Sequence, residues 1–314
     1  MPNPLSKSTQ LIGMLSAIFA SVFFSATDVI IKFLSDTYAL HQILLVRSAL
    51  GIIGIVAILW VTQNSVQKLK THHLPRHLIR GLSYVIANML FFMGLVAMPL
   101  ADAVAIFFIS PSIIALFSIV FLKEHVSIHR WLAIALGFIG VIVMVKPGSD
   151  QFVTASLFPL GSAVFYALLH TLTRTMRATE SASTMTFYIQ LCFVIMSVFM
   201  WLVAGEGQYQ DASNPSLNFL LRPWEQVDLS DLYLLLTLGL VSTLAGYLIS
   251  QAYRSAESAL VAPFEYIALP LAMVWGIVVF GEWPSLTTLI GSGFILASAF
   301  YTLYQESRPI RLAT

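Results

Sequence analysis

An all-α polytopic membrane protein, with ten transmembrane helices in an inverted five-plus-five repeat, is the fold class this sequence predicts. Composition comes first: 58% of residues are hydrophobic and only 10% are charged, where a soluble domain carries about a quarter charged residues. Uncharged runs come second, because residues 8–27, 81–101, 103–122, 151–173, 181–205, 232–253 and 283–305 contain no Asp, Glu, Lys or Arg. Runs of roughly 18 or more such residues span a bilayer as helices, which bond every backbone group internally. The third observation is that two stretches of the chain resemble each other.

Ten spans are expected, at about 11–33, 39–62, 78–98, 101–122, 128–145, 154–175, 184–204, 231–252, 258–280 and 286–304. The first opens after Lys7 and lacks a small-residue cleavage site, and Asp28 and Lys32 follow its apolar start; it reads as a retained helix. The fifth is the shortest, from Trp131 to Val145, and the tenth follows the break "EWPS" at Glu282–Ser285. The long connection at about 205–230 carries Glu206, Asp211, Glu225, Asp228 and Arg222. It is expected as a solvated loop, with a lid as the alternative.

Positive charge sets the orientation. With the N-terminus cytoplasmic, that side receives Lys7, Lys68, Lys70, Arg76, Arg80, Lys123, Arg130, Arg174, Arg177, Arg254, Arg308 and Arg311, and the other receives Lys32, Lys146 and Arg222. Both termini are therefore expected in the cytoplasm, in a cytoplasmic (inner) membrane. A net charge of +1 gives no reason to expect nucleic acid, and the basic loops suit the anionic leaflet. The single Cys192 and the histidines at 72, 73 and 77, placed in a basic loop, offer no metal-ligand spacing. No cofactor is implied.

"ADAVAIFFISPSIIALFSIVFLKE" (101–124) aligns without gaps on "ALVAPFEYIALPLAMVWGIVVFGE" (259–282), and "FSATDVIIK" (24–32) parallels "YALLHTLTR" (166–174). The first unit is taken as 1–150 and the second as 151–314. An odd number of helices per unit inverts the second relative to the first, the arrangement used for alternating access. Pro111 lies inside the fourth span, and Pro263 and Pro270 inside the ninth. Each removes a helix hydrogen bond, and breaks at corresponding positions of two halves point to a substrate site near the midplane.

"RGLSYVIANMLFFMGLVAMPLADAVAIFFISP", "FLKEHVSIHRWLAIALGFIGVIVMVKP" and "AYRSAESALVAPFEYIALPLAMVWGIVVFGEWPS" resemble EamA-type permeases of the drug/metabolite transporter superfamily, from about residue 11 to 305. "APFEY" is similar to the branch holding S-adenosylmethionine uptake transporters and riboflavin carriers. The resemblance implies ten helices and a small-molecule substrate of amino-acid-, nucleoside- or cofactor-like chemistry.

Glu265 is the first candidate for the site. It is the only charge between Ser258 and Gly281, and a charge at the centre of a spanning helix costs about 2.5–3.5 kcal/mol on insertion scales. It serves as a cation ligand, a proton carrier, or a structural partner for a buried base. Arg47, deep in the second span, pairs with Glu265 or Asp28 or faces an anionic substrate group. Asp28 and Lys32 share a helix face, and Lys32 is also placed to snorkel to the interface. Asn88 bonds across helices, and His170 titrates near neutral pH unless it is packing. Tyr266, Phe264 and Tyr247, with Tyr166, Tyr188 and Tyr253, offer stacking surfaces or simply core. The glycine pairs Gly51/Gly54, Gly137/Gly140 and Gly291/Gly293 suit close helix approach.

The function expected is a secondary carrier. No Walker motif is present. An intramembrane enzyme needs a nucleophile–base pair or a metal at depth, and a receptor or scaffold leaves the matched prolines unexplained. Protons or a counter-substrate are the expected coupling partners, and a homodimer is left open.

Overall fold

The computed structural model describes residues 7–63, 69–71, 73–122, 128–149, 153–176, 179–255 and 264–307. The described residues form helices and connections, without strands. The helices are α1 (Lys7–Leu34), α2 (Leu40–Gln63), α3 (Leu74–Ala97), α4 (Leu100–Phe107), α5 (Ser110–Leu122), α6 (Ile128–Val145), α7 (Leu157–Met176), α8 (Ala182–Ala204), α9 (Pro215–Leu221), α10 (Leu229–Ser255), α11 (Ala268–Phe280) and α12 (Leu286–Ser307). Seven stretches are long and apolar enough to cross a membrane: Leu11–Leu34, Leu40–Ala57, Leu74–Ala97, Leu100–Phe121, Thr154–Thr173, Ser183–Ala204 and Leu229–Ile249. Trp131–Val145, Ala268–Phe280 and Leu286–Thr302 are shorter apolar helices.

The fourth apolar run is two helices, and its proline explains where they part. Pro111 stands second in α5, where a missing N–H is no loss. Continuing α4 straight through would drive its ring against the carbonyl four residues back, at Phe107. The chain unwinds at that point instead, with Phe108 N–H shared between the Val104 and Ala105 carbonyls and Ile109 N–H closing a tight turn on Ile106. Pro270 acts the same way on the other half. Four residues before it, the Tyr266 carbonyl accepts from Leu269 N–H at 3.0 Å, and Tyr266–Ile267 form a turn between a helical Phe264–Glu265 and α11. Pro263 lies outside the described residues.

Helix packing falls into mates. α1 packs on α10 as α3 packs on α7; α2 packs on α10 as α3 packs on α8; α1 packs on α11 as α5 packs on α7. The pairs α2–α8, α6–α12 and α4–α11 complete the set. Element ends keep the same rhythm. Leu34 and Leu40 stand to Met176 and Ala182 at one offset, and Ala97, Leu122 and Ile128 stand to Ser255, Phe280 and Leu286 at another. At the crossing of α6 on α12 a Cβ on either Gly140 or Gly291 would lie 2.7 Å from the other's carbonyl oxygen, so these backbones touch. Gly51 and Gly54 are covered by Gln190 and Thr243, while Gly293 faces open space and serves no crossing.

The 205–230 connection keeps many exposed residues, as a solvated loop does, but it also carries a short helix and is anchored on its neighbours. Asn214 caps α9 by accepting from the N–H groups of Ser216 and Leu217. The Ser216 hydroxyl donates to the Met93 carbonyl at 2.7 Å. Beyond α9, Gln42 donates to the Glu225 carbonyl at 2.7 Å and accepts from its N–H at 3.2 Å, and Trp224 lies against Trp201 and His41. The segment is strapped across the ends of α2 and α3. Paired backbone groups and an apolar anchor offset the cost of ordering it.

Candidate functional site

The two unwound turns meet. Phe108, in the turn between α4 and α5, and Tyr266, in the turn before α11, meet with ring centroids 5.0 Å apart and planes tilted by 31°. They are corresponding residues of the two aligned stretches. Broken backbone inside a bundle is tolerated where it is covered by protein or lines a cavity. Here one freed carbonyl is covered, since the Ser21 hydroxyl of α1 donates to the Phe264 carbonyl at 3.1 Å.

Aromatic rings continue outward from this contact. Phe107 lies 5.0 Å from Tyr166 of α7 and 5.2 Å from Phe91 of α3. Tyr166 lies 6.2 Å from Tyr84 and 4.4 Å from the His170 ring, and Tyr84 meets Phe193 of α8 edge-on. Tyr84, Phe107, Phe108, Tyr166 and His170 are half-buried although several helices surround them. The rings connect into one aromatic lining between α3, α7 and the α4–α5 break.

Polar groups stand at two ends of this lining. At one end the Arg47 guanidinium, 7% exposed, donates to the Asn88 side-chain oxygen at 3.2 Å. It lies 4.8 Å from the Phe193 ring centroid and 6.0 Å from that of Phe92. Asp28 of α1 is within electrostatic reach of Arg47, but the two form no direct ion pair among the described residues. At the other end Glu265, half-buried, is within electrostatic reach of Tyr166 and Tyr266. The structure thus gathers Asp28, Arg47, Asn88, His170, Glu265 and Tyr266 around one lining. A guanidinium with an amide beside it reads acceptor edges, flat rings stack between aromatic faces, and a carboxylate at depth takes a proton or a cation.

Other sequence candidates sit elsewhere. Lys32 is engaged at the end of α1, by Glu282 at 2.6 Å and the Met98 carbonyl at 2.9 Å. Tyr247 is 46% exposed on α10. Phe264 packs on Ala17 and Ala252 and contributes its carbonyl. Tyr188 stacks on His77, and the side chain of Tyr253 lies outside the described residues.

One basic-loop assignment is corrected: His77 belongs to α3 and is buried, as is Arg80, one of the charges assigned to the cytoplasmic side. Arg80 donates to the Thr173 hydroxyl at 2.8 Å and the Met185 carbonyl at 3.0 Å, tying α3 to α7 and α8. His77 faces Glu180 at 3.3 Å, and Thr71 donates to Glu180 at 2.6 Å. Desolvation pushes the Glu180 carboxyl up, but Thr71 and His77 together outweigh it and hold the group below its ordinary range.

Sequence reasoning missed Tyr84, Phe107, Phe108 and Phe193. The signal available was the aligned repeat, which places Phe107–Phe108 opposite Glu265–Tyr266.

Comparison with known proteins gives the same class of molecule. A riboflavin transporter of Vibrio cholerae is 28% identical over 97% of this chain and 97% of its own. An S-adenosylmethionine uptake transporter of Rickettsia bellii is 25% identical over 96% and 97%, and a pseudopaline exporter of Pseudomonas aeruginosa is 26% identical over 91% and 94%. One crystal structure at 17% identity superposes with a TM-score of 0.66 over 96% of this chain and 99% of that one, which speaks to the fold. Relatives and family are named as transporters, not enzymes, and the helices make this a multi-pass inner-membrane protein. The model of the EamA-like transporter family matches twice, at residues 11–146 and 153–304, and this chain belongs to that family.

Proposed function

We propose that the protein is a secondary carrier that moves a small organic metabolite bearing a flat heterocycle across the cytoplasmic membrane by alternating access. The observation that carries this reading is the contact between the two helix breaks, Phe108 against Tyr266 at 5.0 Å, within a lining of half-buried rings. Its polar ends, Arg47 with Asn88 and Glu265, fit a molecule that is flat in the middle and hydrogen-bonding at the edges. Two of the relatives are named for riboflavin and S-adenosylmethionine, and each compound presents a flat nitrogen heterocycle.

Ten spans in two inverted units, 1–150 and 151–314, account for the paired packing and for the double family match. Orientation follows the basic loops, with both termini cytoplasmic and the strapped 205–230 segment outside. Transport is coupled to protons or to a counter-substrate, and Glu265 is the first carrier of that coupling, Asp28 the second.

Thermal shift of purified protein tests the substrate class, because a ligand that binds only the native state raises its stability by about 2.7 kcal/mol at a hundredfold excess over Kd. Riboflavin or adenosine is expected to raise the melting temperature, leucine is not, and Phe108→Ala is expected to abolish the rise. A shift with leucine and none with either heterocycle contradicts the reading.

A further inference from the structure

A second cluster of buried charge lies one helical turn along α1 from Asp28, and the central site does not use it. The Glu282 carboxylate, in the link between α11 and α12, holds three parts of the bundle at once. Its Oε1 accepts from Lys32 Nζ of α1 at 2.6 Å, and its Oε2 accepts from the Leu100 N–H that opens α4 at 2.8 Å. Glu282 is itself fixed, its N–H bonded to the Gly276 carbonyl at 2.8 Å after a left-handed turn at Gly281, φ 67°, a conformation glycine adopts without strain. Lys32 also donates to the Met98 carbonyl at 2.9 Å and lies 5.0 Å from the Phe280 ring centroid. Beside the pair, Thr288 of α12 donates to Asp102 of α4 at 2.5 Å. Three of these bonds, Lys32 to Glu282, Leu100 N–H to Glu282 and Thr288 to Asp102, join the first aligned stretch and its neighbours to the second.

We infer that Lys32 and Glu282 are a latch that closes the central site toward the outer face and parts when the carrier opens there. Three properties suit the pair to that role. The latch bridges α1, α4 and the α11–α12 link, so α1 cannot leave α4 and α11 while it holds. Both side chains keep some contact with solvent, 10% and 26% exposed, so water reaches each partner as the elements separate; a fully enclosed pair would leave two uncompensated charges. Lysine's long flexible stem reaches solvent without moving its backbone. A static tie between helices needs none of this and is better served by the buried pattern of Arg80, whose donors are fixed on Thr173 and the Met185 carbonyl.

The latch rests on the alternating-access reading, but the test reads accessibility and needs no substrate, so its failure is distinguishable from a failure of transport. Ala105 of α4 is fully buried one turn below the latch; Ala105→Cys in a Cys192→Ser background reports entry of a membrane-impermeant maleimide added to intact cells. Lys32→Met is expected to speed labelling by about tenfold and Lys32→Arg to change it by less than about twofold, since removing the charge shifts the population toward the open state. Glu282→Gln, which keeps an acceptor for Leu100 N–H, is expected to speed labelling as well, and serves if Lys32→Met does not fold. Unchanged labelling in both folded neutral variants overturns the latch. Acceleration confined to reagent added to inside-out vesicles overturns it also.

Discussion

Glu265 lies within electrostatic reach of Tyr166 and Tyr266 beside the second helix break, where a charge costs about 2.5–3.5 kcal/mol unless water or a partner compensates it. We propose that the carboxylate there serves function before stability. Glu265→Gln keeps the size and one acceptor, so the variant is expected to fold, to hold its melting temperature, and to lose transport by about tenfold or more. Wild-type rates in a well-expressed Glu265→Gln variant, measured by solute uptake, would reduce the residue to packing. At this scale the charges were readable in the sequence because a lone Glu265, Arg47 or Asp28 stands out in an apolar run. Tyr84, Phe107 and Phe193 were not, because an aromatic residue on an apolar helix has the same pattern whether it lines a space or fills a core. Lys32 was legible as an odd charge, but its partner Glu282 lies 250 positions away, beyond any spacing rule.

Helix breaks are the next scale up. Proline marks them in the sequence, and the steric rule that a proline ring clashes with the carbonyl four residues back places the unwinding at Phe108–Ile109 and Tyr266–Ile267 instead of at the prolines themselves. The anchors of the 205–230 segment were not legible because its bonds to Gln42 and Met93 are long-range, while its local composition is that of any polar loop. If the first break is needed for motion and not for folding, Pro111→Ala restores an N–H at the second position of α5 and lets α4 and α5 run together. Thermal unfolding is then expected to shift by no more than a few degrees, whereas uptake falls by about tenfold, the effect of a ~1.4 kcal/mol bias against one state. A variant that transports at the native rate with α4 and α5 fused would remove the break from the mechanism.

In the whole molecule the helix contacts come in mates, α1–α10 with α3–α7 and α2–α10 with α3–α8, and the two halves meet along α2–α8, α4–α11 and α6–α12. Exchange of one arrangement for its mate is what a carrier of two inverted units requires, with the site between the breaks opened first to one face and then to the other. The aligned stretches, 101–124 and 259–282, are legible in the sequence, but which helix packs on which is tertiary and was not. Uptake of riboflavin and of adenosine into proteoliposomes, with and without an imposed pH gradient at clamped membrane potential, bears on this most directly. The account predicts saturable entry of at least one of them, recovered chemically unchanged, at a rate that responds to the gradient or to the same solute loaded on the trans side. Entry no faster than into protein-free liposomes for a heterocycle that binds the purified protein would contradict it.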